Sequence, residues 1–239
     1  MLRFDTTQKP IFNSVMQLYK PRILHFEAIE QLSSKMEAHI EDRIIEMSGE
    51  YGVVRMAISG GENISEVIKI IGKNYAFPYS EMELYQTDEN IATGENQKMI
   101  RGFIKPEMID ELQNFSFFKT KINPDDSATD YIENTIDNLD DEAGIFDLVL
   151  INITPDGQIA GLVAGGNGLD VESDTVVVND NIATLSAQTI LNSREIVVIL
   201  KDDNDVLNEL LEGQKKALEF PAKFLLAHPN VTVFYHSEF

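Results

Sequence analysis

The residues best suited to chemistry fall in three short polar stretches, each placed directly after an apolar run. They are Ser59-Gly60-Gly61, Thr87 to Asn90, and Pro155 to Gln158. Glycine lets the backbone approach a ligand closely, and the free N–H groups where a helix begins attract negative charge. Carboxylates at the end of a strand can orient a hydroxyl group or transfer a proton. These residue types therefore predict anion binding and acid–base chemistry.

Each stretch also has an ordinary structural interpretation. A glycine turn such as Ser59-Gly60-Gly61 is at least as often simple backbone geometry. Two adjacent acids, Asp88 and Glu89, are typical of a solvated turn in a chain with 40 acidic residues. The turn at Asp156-Gly157 is more specific because it follows so apolar a run, yet an Asp-Gly turn also forms without a catalytic purpose. The residues alone leave both interpretations open.

The most distinct element of the chain precedes the third stretch. Residues 146–153, FDLVLINI, form an apolar run that stops at Pro155. A run this short, rich in Val, Ile and Leu and bounded by turn residues, predicts a strand buried on both faces. Further strands are predicted at the remaining apolar runs: Val53–Ile58, Met82–Gln86, Val176–Val178, Ile196–Leu200 and Val231–Tyr235.

Helical patterns separate these strands. Apolar residues three or four apart predict a helix from about His25 to Met47, and a second helix begins at Asn63 with Glu66 as its capping-box partner. The other predicted helices are Asn96–Ile104, Ser127–Leu139, Asp203–Leu211 and Pro221–Ala227. This alternation predicts an α/β fold with a mainly parallel sheet flanked by helices on both faces. Because such sheets bind ligands at the carboxyl ends of their strands, the three polar stretches are expected to meet at one rim.

Length and composition limit the class of protein. The 239 residues suit one large α/β domain or two small ones, and without a linker or internal repeat a single domain over residues 1–239 is predicted. The chain has no cysteine, which excludes disulfides, thiolate catalysis and cysteine-ligated metals. The N-terminus lacks the apolar segment of a secretory signal, and no apolar run is long enough to span a bilayer. These features predict a cytoplasmic protein that does not bind membranes.

The formal charge of −21 is the outlying property of the composition. It argues against binding to nucleic acid or to an anionic membrane, and its plainest interpretation is solubility. The basic residues are unevenly placed, since no Lys, Arg or His lies between Lys121 and Arg194. An anionic ligand near Asp156 must therefore be neutralised by residues from other segments or by backbone amides.

The three stretches together resemble the 6-phosphogluconolactonase family in order and spacing. That family shows LSGGSTP, then a D-E-R turn, then GxGxDGHTASLF, then RxTLT with INxAR. The counterparts here are AISGGENI at 57–64, TDEN at 87–90, ITPDGQIAGL at 153–162 and IATLSAQTILNSREIVVIL at 182–200. The tail at 221–235, PAKFLLAHPNVTVFY, also resembles the family's last helix and strand. The resemblance spans nearly the whole chain beyond residue 25.

The resemblance implies a modified Rossmann-like fold of the 6-phosphogluconolactonase type. It also implies hydrolysis of 6-phospho-D-glucono-1,5-lactone to 6-phosphogluconate in the pentose-phosphate pathway, without a metal or organic cofactor. The implied partner is a small-molecule sugar phosphate; no oligomeric state is predicted. The candidate catalytic residues are Asp156, Gln158 and Glu89. The candidate substrate-binding residues are Ser59, Gly60, Gly61, Asp88, Asn96, Gly157 and Lys201.

The chain departs from the family at the positions that matter most for catalysis. Gln158 stands where the family has the histidine thought to act as general base, and an amide can hydrogen-bond but cannot usefully accept a proton. Three family cations are also replaced, by Asn90, Ile182 and Asp205. Such cations would hold the phosphate and stabilise the developing oxyanion. Basic residues that could substitute from nearby segments are Lys98, Arg101 and Lys201.

These replacements leave several functions open. The leading hypothesis is a 6-phosphogluconolactonase-like hydrolase with impaired activity, in which Asp156 or Glu89 acts weakly on a bound water. A second is a non-catalytic homologue that binds a sugar phosphate or a partner protein. A third is an enzyme with a less anionic substrate, which the charge of −21 favours. A fourth is a glucosamine-6-phosphate deaminase-like enzyme, since that group shares the motif D-G-H-I-A, close to DGQIA at 156–160.

Overall fold

The strands of the protein form two sheets. The computed structural model describes residues 18–139, 146–170, 173–202 and 204–237. The described strands are β1 (Arg22–Phe26), β2 (Val54–Ile58), β3 (Met82–Gln86), β4 (Asp88–Asn90), β5 (Asn114–Ser116), β6 (Phe146–Asn152), β7 (Val176–Asn179), β8 (Ile182–Leu185), β9 (Ser193–Lys201) and β10 (Val231–His236). The larger sheet has the order β1-β10-β9-β6-β2-β3-β5, and every pair in it is parallel.

Helices connect the strands of the larger sheet. The described α-helices are α1 (Ile29–Tyr51), α2 (Glu62–Ile71), α3 (Glu95–Phe103), α4 (Pro106–Ile109), α5 (Pro124–Asn134), α6 (Ala187–Leu191) and α7 (Asn204–Glu212). Short 3-10 helices cover Tyr79–Glu81, Ile136–Asn138 and Pro221–Ala227. In the part of the chain that the structure describes, no helix is both long and apolar enough to cross a membrane.

The core lies on both faces of the larger sheet. Four consecutive residues of β6, from Leu148 to Ile151, are 0% exposed. Leu148 and Leu150 pack with the inner faces of α1 and α2, while Val149 and Ile151 pack with α5, α6 and α7. Alternate side chains thus enter two apolar layers, which is why the run carries no polar alternation. This arrangement confirms the predicted α/β class with a mainly parallel sheet flanked by helices.

A three-stranded antiparallel sheet, in the order β4-β8-β7, lies apart from the main sheet. The prediction that Thr87 to Asn90 is a polar turn was wrong, because Asp88–Asn90 is strand β4 and pairs with β8. The predicted strand at Val176 belongs to this small sheet as β7, and only its first residue is buried. The sequence of segment 88–90 indicates a turn because Asp, Glu and Asn are depleted in strands. The segment becomes a strand only through its pairing with β8, which is distant in the sequence.

Helix starts account for the other corrections. The first helix begins at Ile29 rather than near His25, because residues 22–26 pair with β10 as the edge strand β1. The second begins at Glu62 after Gly61, with no side-chain cap, so the predicted capping box at Asn63 does not form. The helix predicted from Ser127 to Leu139 is α5, which begins at Pro124 and ends at Asn134. Asp203, the predicted start of the next helix, lies outside the described residues.

Candidate functional site

The three polar stretches follow neighbouring strands at the carboxyl edge of the main sheet. Strands β6, β2 and β3 are adjacent, with Ile58 of β2 paired to Leu150 on one side and to Gln86 on the other. Residues just beyond these pairs leave the sheet at the same edge. The sequence prediction that these stretches share one rim is consistent with this topology, and direct contacts join them.

Gly60 and Asn96 are in contact, which joins the first two stretches. A Cβ atom at Gly60 would lie 1.6 Å from Oδ1 of Asn96, so only glycine leaves room for that amide. Asn96 Nδ2 donates hydrogen bonds to the backbone oxygen of Asp88 at 2.9 Å and to its carboxylate at 3.0 Å. The first stretch therefore packs directly against the amide that holds the second.

Asp88 is the carboxylate whose surroundings most favour the protonated form. Desolvation is the largest cause and raises its pKa, and the charge of Glu89 acts in the same direction. Hydrogen bonds from Thr87, Ser59 and Asn96 lower the pKa but do not cancel the effect of burial. A carboxylate with a raised pKa is a stronger base than an ordinary one, so Asp88 is better suited to accept a proton than Asp156, whose pKa is lowered.

Glu89 is fully buried, and its carboxylate is saturated with hydrogen bonds. Its oxygens accept from the backbone N–H groups of Asn96 and Gln97 at 3.1 and 2.7 Å, which belong to the first turn of α3. They also accept from the side chain of Gln86 at 3.0 Å and the backbone of Asn90 at 2.9 Å. A negative charge at a helix N-terminus stabilises the helix. Glu89 thus fixes the start of α3, and with it the position of Asn96.

The third stretch is closed on itself by hydrogen bonds. Thr154 Oγ1 donates to the carboxylate of Asp156 at 2.5 Å, and Gln158 Nε2 donates to the other carboxylate oxygen. Partial burial by itself raises the pKa of Asp156, but these hydrogen bonds hold it below its usual value. Asp156 is therefore ionised at neutral pH and is a weak base, and one of its two side-chain partners is the glutamine that replaces the family's histidine.

Gly157 makes the close turn between these two residues. Its φ of 82° is in the left-handed region that favours glycine, and a Cβ atom there would lie 2.3 Å from the ring of Phe220. Its backbone oxygen accepts from the N–H of Ala222 at 2.8 Å. The segment 220–222 thus anchors the turn from outside the three stretches.

The small sheet ties the third stretch to the second. The N–H of Gly161 donates to Oγ1 of Thr184 at 3.1 Å, and Thr184 is paired with Asp88 across β4 and β8. Sequence reasoning did not single out Thr184, although it lies in the TLS motif of the fourth segment. It also missed Asn152, whose side chain lies 3.3 Å from a Cβ atom built at Gly61.

Three residues stand where the family has cations, and each has a place in the local structure. Asn90 Oδ1 accepts from the backbone N–H groups of Ala92 and Thr93 and so shapes the turn after β4. Ile182 lies against Gly161, where its methyl group would be 2.4 Å from an added Cβ atom. Asp205 lies in the first turn of α7. These three residues support the local fold rather than a charge at the rim.

The basic residues named as substitutes lie on different elements. Lys201 ends β9 and is paired with His236 of β10. Lys98 is exposed on α3. Arg101, on the same helix, stacks over the ring of Phe117 at 4.3 Å. Within the described ranges, no group of three or more His, Asp or Glu side chains is arranged to hold a metal ion.

The fold is that of a Rossmann-like α/β protein, with the three polar stretches at the carboxyl edge of a parallel sheet. The family model of glucosamine-6-phosphate isomerases/6-phosphogluconolactonase matches residues 27–234. The chain belongs to this family. No curated protein matches the chain significantly by sequence.

Solved structures share the fold at low sequence identity. A 6-phosphogluconolactonase from Shewanella baltica OS155 is 19% identical, with 92% of this chain and 100% of that chain covered and a TM-score of 0.79. The 6-phosphogluconolactonase from Trypanosoma brucei is 20% identical, covering 91% and 97%, with a TM-score of 0.76. A monomeric glucosamine-6-phosphate deaminase is 16% identical, covering 90% and 97%, with a TM-score of 0.69. These likenesses establish a 6-phosphogluconolactonase-type fold.

Proposed function

We propose that the protein is a slow lactonase that hydrolyses 6-phospho-D-glucono-1,5-lactone to 6-phosphogluconate. The observation that carries the proposal is the cluster of Gly60, Asn96 and Asp88, in which a carboxylate of raised pKa lies beside a glycine loop at the rim. In this proposal Asp88 serves as the proton acceptor and the glycine loop binds the anion. Membership of the family supports the choice of substrate.

In the proposed mechanism Asp88 takes the place of the missing histidine. Its carboxylate accepts a proton from a water molecule while the oxygen of that water attacks the lactone carbonyl. The proton then passes to the ring oxygen as the C–O bond breaks, giving the free acid. Asn96 holds Asp88 in position through its two hydrogen bonds, and Glu89 holds Asn96 by fixing the start of α3.

The remaining candidate residues bind substrate in this proposal. The first N–H groups of α2, which follow Ser59-Gly60-Gly61, receive the phosphate. Gln158 and Asp156 hydrogen-bond sugar hydroxyls, since the lowered pKa of Asp156 makes it an acceptor rather than a base. Gly157 shapes the turn that presents both residues, and Lys201 at the end of β9 adds positive charge.

The test is lactone hydrolysis by the purified protein and three variants. Asp88→Asn should lower kcat by about 10²-fold or more, the range expected for loss of acid–base catalysis. The matched control is Asp110→Asn, an exposed acid at the end of α4, which should retain full activity. Gln158→His should raise kcat, because it restores a base with a pKa near neutrality.

A second function has its own supporting observation. The bonds from Gln158 and Thr154 to Asp156 satisfy the third stretch internally, which suits a non-catalytic sugar-phosphate-binding homologue. Absence of lactone turnover from both wild type and Asp88→Asn, while 6-phosphogluconate still binds, would favour that function. Equal turnover in the two proteins would contradict the role of Asp88 in the mechanism above. Deamination of glucosamine 6-phosphate without lactone hydrolysis would instead assign the protein to the deaminase branch.

A further inference from the structure

A cavity lies at the opposite edge of the main sheet from the candidate site. It has a volume of about 360 Å³, and six of its lining residues are Lys20, Arg22, His39, Arg43, Glu195 and Thr232. These residues come from the amino ends of β1, β9 and β10 and from the middle of α1. Arg22 is the first residue of β1 and is paired in register with Thr232 of β10. The cavity is therefore distinct from the rim that carries Gly60 and Asp88.

The cavity concentrates positive charge in a strongly acidic protein. Three cations, Lys20, Arg22 and Arg43, line it together with one buried carboxylate, that of Glu195, whereas the whole chain has a formal charge of −21. Glu195 is 2% exposed and accepts from Arg43 Nε at 2.6 Å and from His39 Nε2 at 2.8 Å. Its charge is thus compensated by Arg43, and its other oxygen is satisfied by the hydrogen bond from His39.

Lys20 and Arg22, the other two cations of the cavity, take no part in the pairing with Glu195. Arg43 also contacts the exposed carboxylate of Glu46, so its guanidinium is occupied on two sides. Among the residues that the structure describes, the side chains of Lys20 and Arg22 form no ion pair, and both are exposed. The contacts with Glu195 account for the placement of His39 and Arg43 in the cavity, but they do not account for that of Lys20 and Arg22.

The chemistry of the cavity fits one class of ligand. A guanidinium presents a planar set of donors that matches phosphate oxygens, and an ammonium adds a mobile point charge. The volume falls within the range of small-molecule sites, and Thr232 and Asn230 add a hydroxyl and an amide to the lining. We propose that this cavity binds a small phosphorylated anion, held by Arg22 and Lys20 and seated against the Arg43–Glu195 pair.

The test is isothermal titration calorimetry with inorganic phosphate as the probe, at low salt. The wild type should show saturable binding that weakens as salt is added, because exposed cations supply the attraction. Arg22→Gln and Lys20→Gln should each weaken it by about tenfold or more, as expected from loss of a charge-assisted contact. Lys73→Gln, which removes an exposed lysine after α2, is the matched control and should leave binding unchanged.

Phosphate bound at the rim instead of the cavity is distinguished by Ser59→Ala, which alters the loop Ser59-Gly60-Gly61 at the carboxyl edge. Binding that is lost in Ser59→Ala but kept in Arg22→Gln and Lys20→Gln would overturn the proposal, and so would the absence of saturable binding in the wild type. Arg22→Gln should also hydrolyse lactone at the wild-type rate without phosphate. Because the readout is phosphate binding at the amino edge, it remains decisive even if the protein proves to have no lactonase activity.

Discussion

At the scale of single residues, Gly60 is the position where the candidate site is least tolerant of change. A methyl group there would overlap Oδ1 of Asn96, whose amide is held by Asp88 on the other side. Gly60→Ala must displace Asn96 and release Asp88. We expect lactone hydrolysis to fall by about 10²-fold or more, since Asp88 then loses its orientation.

The measurement for Gly60→Ala is kcat beside a urea unfolding curve. Gly49→Ala is a suitable control, because an added Cβ atom there meets nothing within 4 Å. It should leave activity intact and slightly stabilise α1, where alanine is the better helix former by about 1 kcal/mol. Full activity in Gly60→Ala would show that Asn96 does not position Asp88.

The residue scale is also where prediction from sequence was weakest. Asp88 and Glu89 look alike in the sequence. In the structure, however, Asp88 has a raised pKa, whereas the carboxylate of Glu89 accepts hydrogen bonds from four N–H groups. That difference arises because α3 begins several residues later, and its first N–H groups point to the carboxylate of Glu89. Likewise, the pairing of Gln158 with Asp156 depends on side-chain rotamers around the turn at Gly157.

At the scale of elements, sequence patterns succeeded where both faces of a strand are buried. The apolar runs of β2, β3, β6, β9 and β10 all form strands of the main sheet. They failed for β4, a three-residue polar strand that forms only through its pairing with β8 in the folded chain. They also missed β8 itself, a strand of four residues. They also failed for β1, an edge strand with two exposed residues that lacks the apolar signature of the central strands.

One ion pair joins α1 to the sheet and gives an element-scale prediction. Arg43 binds the buried Glu195 of β9 and the exposed Glu46 of its own helix. Arg43→Met should lower the free energy of unfolding by about 2 kcal/mol, because it leaves a buried carboxylate with His39 alone. Glu46→Gln should change it by no more than about 0.5 kcal/mol, since exposed pairs contribute little.

Urea unfolding of both variants measures the difference between these pairs. If Arg43→Met and Glu46→Gln were equally destabilising, the buried pair would not be what fixes α1 to β9. If Arg43→Met did not change the free energy of unfolding, the cavity at the amino edge would be stabilised by packing rather than by charge.

At the scale of the whole molecule, acidification has two opposing effects. Protonation of surface carboxylates reduces the charge of −21 and relieves repulsion in the compact state. Protonation of His228 acts in the other direction. Its side chain is 4% exposed, and burial lowers its pKa below 6.5 despite acceptors on Ser193 and Asn230 and the charge of Glu195.

The sign of the His228 effect follows from linkage. Because the pKa is lower in the folded chain, the unfolded chain binds more protons once the pH falls below 6.5. The contribution of His228 is thus complete above that pH and is lost as the pH falls through the folded pKa. The loss has a slope of at most about 1.4 kcal/mol per pH unit.

The measurement compares wild type with His228→Gln in urea at about pH 7.5 and about pH 5.5, on either side of the ordinary histidine pKa. The variant loses hydrogen bonds and should be less stable at the higher pH, but its deficit should shrink at the lower pH, where the wild type alone carries the histidine penalty. Subtracting the two proteins removes the effect of global charge, which both share. A deficit that stays constant or grows on acidification would show that His228 is protonated without strain in the folded protein, and that the acid stability of the molecule is governed by its surface charge.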